Sequence, residues 1–352
     1  MNVIQKLSVT NFRCHDSFET TFLEPTTLII GPNGSGKTSL IEAIYITLRG
    51  KSFKTTDQNI IQKEKDFYRI QVDLSDSTSR TVIYHKPQNK KEFHIGDKKS
   101  LRLPAKNRLP IVLFEPNHLN IIHNSPSKRR DFIDNLISQI DPIYHQALGK
   151  YEKSLKQRNT LLKSDYATKE KVFPWDIILA KYGSEIVLKR KYYIDQINQN
   201  ITTTYNSIAN RPDKIHLNYE SKLFDESNFL KSLEKTFQYD LVTKSTSSGP
   251  HRDDIIFNFN NHLAINTASR GELRSIILAL KFIESQIIRD QLNTNPIILL
   301  DDIFSELDED HQKHLSNNFK SHQIIITSVN LPSKKLTQSS IIKIPPSKTS
   351  PN

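Results

Sequence analysis

Residues 31–38 have the composition and spacing of a loop that binds the phosphates of a nucleotide. They read Gly-Pro-Asn-Gly-Ser-Gly-Lys-Thr and match the pattern G-x-x-x-x-G-K-[ST] at every fixed position. In such a loop the backbone N–H groups converge on the phosphates, the lysine reaches the β- and γ-phosphates, and the threonine hydroxyl binds Mg²⁺. We therefore predict that a nucleoside triphosphate and Mg²⁺ are bound by Gly31, Pro32, Asn33, Gly34, Ser35, Gly36, Lys37 and Thr38.

Two adjacent acids, Asp301 and Asp302, come directly after an apolar run at residues 297–300. A strand of this kind would present Asp301 to the phosphate loop, where its carboxylate can hold Mg²⁺. Asp302 would then accept a proton from the attacking water, or orient that water. Strands that end in acids are common, so this prediction depends on the phosphate loop in the same chain. Together with Lys37, the two acids are the predicted catalytic residues.

A third candidate anion site is the signature segment, residues 268–272, which reads Ala-Ser-Arg-Gly-Glu and opens a predicted helix over 271–291. Ser269 and Gly271 at a helix N-terminus can hold a phosphate through backbone N–H groups and the helix dipole. Glu272 is unexpected there, because a carboxylate repels a phosphate unless a cation such as Arg270 or Arg274 offsets it.

The residues around the phosphate loop predict the strand and the helix that such a loop requires. Residues 28–30 are an apolar run, and apolar residues recur at helical spacing over 40–48. Two further strands are predicted at 2–12 and 18–24. Arg13 lies in the turn between them, close in sequence to the phosphate loop, and is a further candidate contact for the nucleotide.

The rest of the chain changes from strands to helices and back to strands. The predicted strands are 69–74, 80–85, 109–114, 254–259 with 263–266 as its hairpin partner, 297–300 and 323–327. The predicted helices are 131 to about 163 with a break at Asp141-Pro142, a second stretch from Pro174 to Tyr205, 271–291, and 306–319; Ser127 is the predicted N-cap of the first.

Composition restricts the class of protein and its partners. The 352 residues carry 49 Lys and Arg against 38 Asp and Glu, and the net charge of +11 favours an anionic partner such as nucleic acid. The densest part is the basic segment, residues 86–108, which is either a phosphate contact or a solvated face. A single cysteine, Cys14, excludes an intrachain disulfide and a cysteine-based zinc site. Without an apolar run near ~20 residues or a signal-peptide core, we expect a cytoplasmic protein with no membrane partner.

Two further groups of polar residues have more than one interpretation. His251-Arg252-Asp253 is either part of a metal or proton relay or a structural or subunit contact, and the lack of other ligands at metal spacing favours the second. Lys51 and Lys54 would contact DNA or nucleotide, or simply lie in a solvated loop.

The order of these features resembles the ABC-type ATPase heads of the SMC-like class, and within that class the RecF family. The general features are the phosphate loop, a helical insertion, a Ser-x-Gly helix start, an apolar strand ending in two acids, and S-x-L-D at 305–308. Segments in the middle of the chain are more particular to RecF. They are GKSFKT at 50–55, LPIVLFEPNHLNIIHNSPSKRRDFID at 109–134, PWDIILAKYGSEIVLKR at 174–190 and SGPHRDDIIF at 248–257.

The resemblance implies an α/β fold, an ABC-type ATPase head (a P-loop NTPase) interrupted by a helical lobe. It implies that ATP joins two copies in a homodimer, in which Ser269 and Gly271 of one copy close over the ATP of the other. It also implies a weak, DNA-stimulated ATPase used as a switch in DNA replication, recombinational repair of DNA damage and the SOS response. Such a protein would bind duplex DNA at single-strand gaps and junctions and help RecR and RecO load RecA.

The chain departs from the RecF pattern at two places. RecF proteins carry a glutamine where this chain has Glu272, so we expect dimer closure to be weaker or tuned differently. The segment at the end of the last predicted strand reads Thr-Ser-Val-Asn with no histidine, so Thr327 or Ser328 would have to sense the γ-phosphate.

The expected domains are an N-terminal head lobe at 1–125, a helical arm at 126–240, a C-terminal head lobe at 241–345 and a disordered tail at 346–352. One alternative is an SMC-type head with a long coiled coil, against which the absence of sustained heptads argues. Another is an ABC transporter subunit, which the helical lobe and basic balance fit poorly. The third is a DNA-binding scaffold that binds ATP without turnover; the acids at 301 and 302 argue against it, and Glu272 argues for it.

Overall fold

Most of the predicted strands and helices are present in the computed structural model, which describes residues 3–123, 125–302, 312, 314, 319, 321–331 and 339–346. The predicted helix over 306–319 and the predicted tail over 346–352 lie almost entirely outside these residues. The strands are β1 (Ile4–Phe12), β2 (His15–Thr21), β3 (Thr26–Ile30), β4 (Phe67–Leu74), β5 (Ser79–His85), β6 (Lys90–Ile95), β7 (Lys98–Ser100), β8 (Ile111–Phe114), β9 (Ile215–Glu220), β10 (Asp254–Phe259), β11 (His262–Leu263), β12 (Ile297–Leu300), β13 (Ile324–Ser328) and β14 (Ser339–Lys343). The helices are α1 (Lys37–Arg49), α2 (Asn120–His123), α3 (Pro126–Ile140), α4 (Pro142–Leu162), α5 (Lys169–Ala209), α6 (Glu226–Thr243), α7 (Ala264–Thr267) and α8 (Arg270–Leu292). Shorter 3-10 helices are Asp57–Asn59, Ala105–Asn107 and Pro116–Leu119.

Two sheets form the unit that comprises residues 1–118 and 285–352. β8 and β12 are buried along their whole length, as expected for strands covered on both faces, and belong to a parallel sheet of order β14-β3-β13-β12-β8. β4 and β5 alternate in burial and belong to an antiparallel sheet of order β2-β1-β4-β5-β6-β7. Because the strands of the first sheet are parallel, their carboxyl ends share one edge, which is where open α/β sheets bind ligands.

Helix α1 shares one apolar core with both sheets of this unit. Leu7 of β1, Ile44 of α1 and Leu299 of β12 are each 0% exposed and belong to the same cluster. Fully burying an aliphatic side chain of this size contributes about 1.5–3 kcal/mol. The core therefore fixes the start of α1 relative to the end of β12, and these are the two places that carry the predicted site residues.

The unit of residues 119–284 consists mainly of helices, with a small antiparallel sheet of order β11-β10-β9. Asp141 ends α3 and caps α4, since its side chain accepts hydrogen bonds from the backbone N–H groups of Ile143 and Tyr144. This confirms the predicted break at Asp141-Pro142. Residues 241–284 belong to the same unit as the helices, while the assignment of head lobes at 1–125 and 241–345 stays a prediction. No helix within the described ranges is long and apolar enough to cross a membrane.

Two predicted helix starts were wrong by a few residues. α5 begins at Lys169 rather than Pro174, because the Thr168 side chain caps the helix by accepting a hydrogen bond from the Lys171 N–H. Pro174 then lies within the first two turns, where it removes only one backbone hydrogen bond. α3 is preceded by Ser125 as N-cap and starts with Pro126 at the first helical position, which proline favours, so Ser127 is not the cap.

The predicted partner of β10 at 263–266 was also largely wrong. β11 ends at Leu263, and residues 264–267 form α7. The main partner of β10 is β9, an alternating strand absent from the predicted elements, with Phe257 paired to Leu217. The hairpin predicted at 69–74 and 80–85 is confirmed by the pairing of β4 with β5.

Candidate nucleotide-binding site

The phosphate loop joins β3 to α1 and requires glycine where it meets the turn before β2. Gly36 precedes α1 with a φ of 92°, in the left-handed region that favours glycine. A Cβ atom at this position would overlap Nε2 of His15 and Sγ of Cys14. Any other residue at Gly36 would therefore be both strained and crowded, and the loop would have to move away from His15 and Cys14.

Ser35 and Lys37 offer two side-chain donors to an anion in the loop. The Ser35 hydroxyl is buried and has no hydrogen-bond partner among the described residues. Lys37 is 4% exposed, and its Nζ donates to the carbonyl oxygens of Gly31 at 3.0 Å and Pro32 at 3.2 Å. A buried polar group without a partner is costly, so a phosphate that accepts from Ser35 would fit this loop.

Asp301 lies at the carboxyl end of β12 and is held by hydroxyl groups from two other elements. Its Oδ1 accepts from Oγ1 of Thr38, at the start of α1, at 2.7 Å and from Oγ1 of Thr327, at the end of β13, at 2.9 Å. Asp301 is 3% exposed. A carboxylate beside a threonine hydroxyl is the donor set that Mg²⁺ shares with nucleotide phosphates, so these residues fit that cation.

Asp302 has a strained backbone and a side chain directed at the lysine of the loop. Its φ is 51°, and its backbone N–H donates to Oγ1 of Thr327 at 2.9 Å. One carboxylate oxygen lies 3.9 Å from Nζ of Lys37, and the side chain is 35% exposed. A backbone held in a sparsely populated region is frequent at functional sites. Thr327 contacts both acids, and sensing of the γ-phosphate by Thr327 or Ser328 stays a prediction.

Lys54 is a cation at this site that the sequence left undecided. Its Nζ lies 3.6 Å from Oδ2 of Asp301. The loop that carries it is folded by Ser52, whose Oγ accepts from the backbone N–H groups of Lys54 at 2.9 Å and Thr55 at 3.1 Å. No local pattern in the sequence indicates this contact, because Lys54 and Asp301 meet only after the sheet has formed.

Arg13, a predicted nucleotide contact, is engaged with a buried acid of α1. Its Nε and Nη2 each donate to Glu42 at 2.9 Å, and its Nη1 donates to the carbonyl oxygen of Asn59 at 3.1 Å. Glu42 is 1% exposed and needs such a cation. The same carboxylate accepts from the Ser52 hydroxyl at 2.5 Å, so the pair also supports the loop of Lys54. A contact between Arg13 and a nucleotide stays a prediction.

Cys14 and His15 lie against Gly36 of the phosphate loop, a position that no pattern in the sequence indicates. Nε2 of His15 is 3.1 Å from the carbonyl oxygen of Gly36. The hydrogen bond to His15 lowers the pKa of the Cys14 thiol, although partial burial acts in the opposite direction. Burial lowers the pKa of His15, but its contacts with Cys14 and with the Gly36 carbonyl outweigh that effect and raise it.

The signature segment forms a capping box at the start of α8. The Ser269 backbone N–H donates to Oε2 of Glu272 at 2.7 Å, and the Glu272 N–H donates to Oγ of Ser269 at 3.3 Å. Oε1 of Glu272 accepts from Nη1 of Arg211 at 2.8 Å. Arg211, far away in sequence, is therefore one cation that pairs with this acid, and compensation by Arg270 or Arg274 stays a prediction. This segment and the phosphate loop belong to different units.

The basic segment is partly neutralised by its own contacts. Glu92 accepts from Lys99 and Lys90, and these hydrogen bonds lower the pKa of its carboxyl to about 2. Lys91 is partly buried and pairs with Asp57 at 2.7 Å, and burial, the largest influence, lowers the pKa of its ammonium. The segment retains several exposed cations for contact with an anionic partner. They are Lys86, Lys98, Arg102 and Lys106.

His251-Arg252-Asp253 has the contacts of a structural segment. Nδ1 of His251 lies 2.6 Å from the Tyr151 hydroxyl, and its Nε2 lies 3.0 Å from the carbonyl oxygen of Thr246. Burial lowers the pKa of His251 to about 4, so the ring is neutral at pH 7. Within the described part of the chain, no group of three or more His, Cys, Asp or Glu residues can hold a metal ion. These contacts favour the structural interpretation over the metal relay.

Comparison with known proteins gives relatives that match nearly the whole chain. The family profile described as RecF/RecN/SMC N terminal domain matches residues 3–346. A protein of Natranaerobius thermophilus named DNA replication and repair protein RecF is 34% identical over 93% of this chain and 91% of its own length. The protein of the same name from Agathobacter rectalis is 34% identical over 94% of this chain and 92% of its own length.

Solved structures agree with these relatives in fold. A structure of the recombination mediator protein RecF with ATP, in the RecFOR pathway, has a TM-score of 0.87 and 26% identity and covers 97% of this chain and 95% of that one. An Smc head domain of Pyrococcus furiosus, with an extended coiled coil and bound to a domain of ScpA, has a TM-score of 0.54 at 17% identity over 94% of this chain and 90% of that one. The predicted α/β fold of an ABC-type ATPase head with a helical insertion is therefore confirmed.

Proposed function

Because the chain belongs to the RecF family of DNA replication and repair proteins, we propose that it is an ATP-gated DNA clamp with slow, DNA-stimulated turnover. Two copies bind ATP between them on duplex DNA next to single-strand gaps, in the cytoplasm. There the dimer helps RecR and RecO load RecA, and hydrolysis releases it. The observation that carries this proposal is the meeting of Thr38, Asp301 and Thr327, with Lys37 beside Asp302, at the carboxyl edge of the parallel sheet.

The residues of the site divide the work of hydrolysis between them. Bound Mg²⁺-ATP supplies the phosphoryl group and a cation that neutralises its charge. The Lys37 ammonium exchanges its hydrogen bonds to the carbonyl oxygens of Gly31 and Pro32 for hydrogen bonds to phosphate oxygens. The Ser35 hydroxyl donates a hydrogen bond to a phosphate oxygen. Thr38 and Asp301 hold the cation. Asp302 orients water and takes its proton, a role to which its partial exposure is suited.

The experiment that tests the clamp is sedimentation of the purified chain with ATP, with ADP and with neither nucleotide. The proposal requires a dimer that forms with ATP and dissociates with ADP, because Ser269 and Gly271 of one copy would contact the γ-phosphate held by the other. A chain that stays monomeric at every ATP concentration tested would exclude the clamp.

Replacing Lys37 with alanine is expected to lower ATP affinity by about 100-fold, because hydrogen bonds to a charged group contribute up to ~3 kcal/mol. The buried ammonium lies at the loop, so its loss cannot be compensated by water. Titration with a fluorescent ATP analogue measures the change. Lys65→Ala, which removes an exposed lysine of the same unit, is the matched control and should bind as the unchanged chain does. Equal affinities for all three would contradict the role of Lys37.

DNA binding is expected to weaken steeply with salt. Each phosphate neutralised by a cation adds about 0.9 to the slope of log affinity against log salt. Removing the exposed cations Lys86, Lys98, Arg102 and Lys106 together should reduce the slope by up to about 3–4 units. Lys90→Ala with Lys99→Ala is the matched control, because both ammonium groups are already paired with Glu92. An unchanged slope in the first variant would exclude the basic segment as the DNA contact.

A further inference from the structure

An acid at the start of α8 conflicts with the phosphate that the proposed clamp would place there. In the clamp, the signature segment of one copy faces the γ-phosphate of the nucleotide held by the other. Glu272 lies within this segment, so an uncompensated carboxylate would repel the ligand over a short distance. The contacts of Glu272 show how its charge is offset.

Both carboxylate oxygens of Glu272 are already engaged. Oε2 accepts from the Ser269 N–H at 2.7 Å, as part of the capping box, and Oε1 accepts from Nη1 of Arg211 at 2.8 Å. The capping box holds the side chain along the first turn of α8, where it is 18% exposed. The Arg211 guanidinium therefore lies directly against the carboxylate of the segment.

Arg211 reaches Glu272 from the turn that follows α5. Asn210 ends that helix with a φ of 51°, which turns the chain so that Arg211 leaves the helix axis. The nearest acid in sequence, Asp213, accepts from Nδ2 of Asn260 at 2.8 Å and from the Tyr205 hydroxyl at 3.5 Å. The Arg211 side chain is 63% exposed, so its ion pair with Glu272 lies at the surface of the unit.

We propose that Arg211 is the residue that makes this acidic signature segment compatible with the nucleotide of a second copy. It neutralises Glu272, so the Ser269 hydroxyl and the positive end of the α8 dipole remain attractive to the γ-phosphate. Arg211 acts through Glu272 and is a positioning residue rather than a phosphate ligand. The inference rests on the proposed function, since it names how the anion site of the clamp is tuned.

The test is a double-mutant cycle on ATP-dependent dimerisation. Arg211→Ala should weaken the ATP dimer by about tenfold or more, the order of change that one uncompensated charge near a phosphate produces. Glu272→Gln keeps the capping box, which glutamine also forms, and removes only the charge. The double variant Arg211→Ala with Glu272→Gln should therefore dimerise within about threefold of Glu272→Gln alone. Lys191→Ala, which breaks an exposed ion pair on α5, is the control for charge loss.

Each outcome of the cycle has a defined meaning. Dimerisation of Arg211→Ala equal to that of the unchanged chain overturns the inference. An equal loss in Arg211→Ala and in the double variant also overturns it, because Arg211 would then act without Glu272. Thermal melting of the monomers shows whether Arg211→Ala loses dimerisation only because its fold is destabilised. In that case its melting temperature would be lowered even without ATP. An unchanged chain that does not dimerise with ATP rejects the proposed function itself, and the inference with it.

Discussion

Replacing Asp302 with asparagine is expected to slow ATP turnover by about 10²–10⁴-fold while ATP binding is retained. The amide cannot take the proton that the carboxylate would accept from water. Asparagine tolerates the left-handed backbone as well as aspartate does, so the φ of 51° should persist. The hydrogen bond from the backbone N–H to Thr327 is also unaffected. With hydrolysis blocked, the ATP-bound dimer should accumulate on DNA.

Three measurements separate catalysis from binding in this variant. They are steady-state phosphate release with DNA, affinity for a fluorescent ATP analogue, and sedimentation with ATP. Asp290→Asn is the matched control, because Asp290 is an acid of α8 whose side chain is 66% exposed. Unchanged turnover in Asp302→Asn would reject Asp302 as the base. Loss of ATP binding would mean that Asp302 mainly holds Lys37 in place.

The parts of the fold that the sequence predicted are those encoded by neighbouring residues. The apolar run at 28–30, the glycines of the phosphate loop and the helical spacing at 40–48 each determine their own conformation, and the structure has β3, the loop and α1 there. Apolar strands such as 297–300 are recognisable because a strand buried on both faces tolerates few polar residues. The break at Asp141-Pro142 is equally local, since capping and the fixed φ of proline act over a few residues.

The contacts that the sequence did not predict join residues far apart in the chain. Arg211 and Glu272 are 61 residues apart, and only the path of the chain after α5 brings them together. Lys54 reaches Asp301 for the same reason. The prediction for the basic segment came from its number of charged residues alone. Pairing across β5, β6 and β7 places lysines around Glu92, and the number of charges does not indicate this. Such partners follow from topology, which the local patterns of a sequence do not specify.

Replacing Arg158 with alanine is expected to destabilise the unit of residues 119–284 by about 3–5 kcal/mol, the cost of breaking a buried ion pair. Arg158 is 0% exposed and donates to Asp176 at 2.5 Å, to Asp240 at 2.7 Å and to Thr246 at 2.9 Å. These partners lie on α5, on α6 and in the segment before His251. Without the guanidinium, two buried carboxylates would lose the cation that compensates their desolvation.

Urea unfolding followed by circular dichroism measures this loss of stability. The control is Lys156→Ala on the exposed face of α4, whose free energy of unfolding should lie within about 0.5 kcal/mol of that of the unchanged chain.

The pH dependence of the loss gives a second check. Burial already raises the pKa of Asp176, and Arg158 acts against that rise. In the variant the folded-state pKa of Asp176 should rise further above its unfolded value. The contribution of Asp176 to the free energy of unfolding is then favourable at low pH and lost as the pH rises through that pKa. The deficit of Arg158→Ala should therefore narrow as the pH falls through this raised pKa towards 3.8, the ordinary value of an aspartate. A deficit independent of pH would mean that packing, rather than the orphaned carboxylates, accounts for the loss.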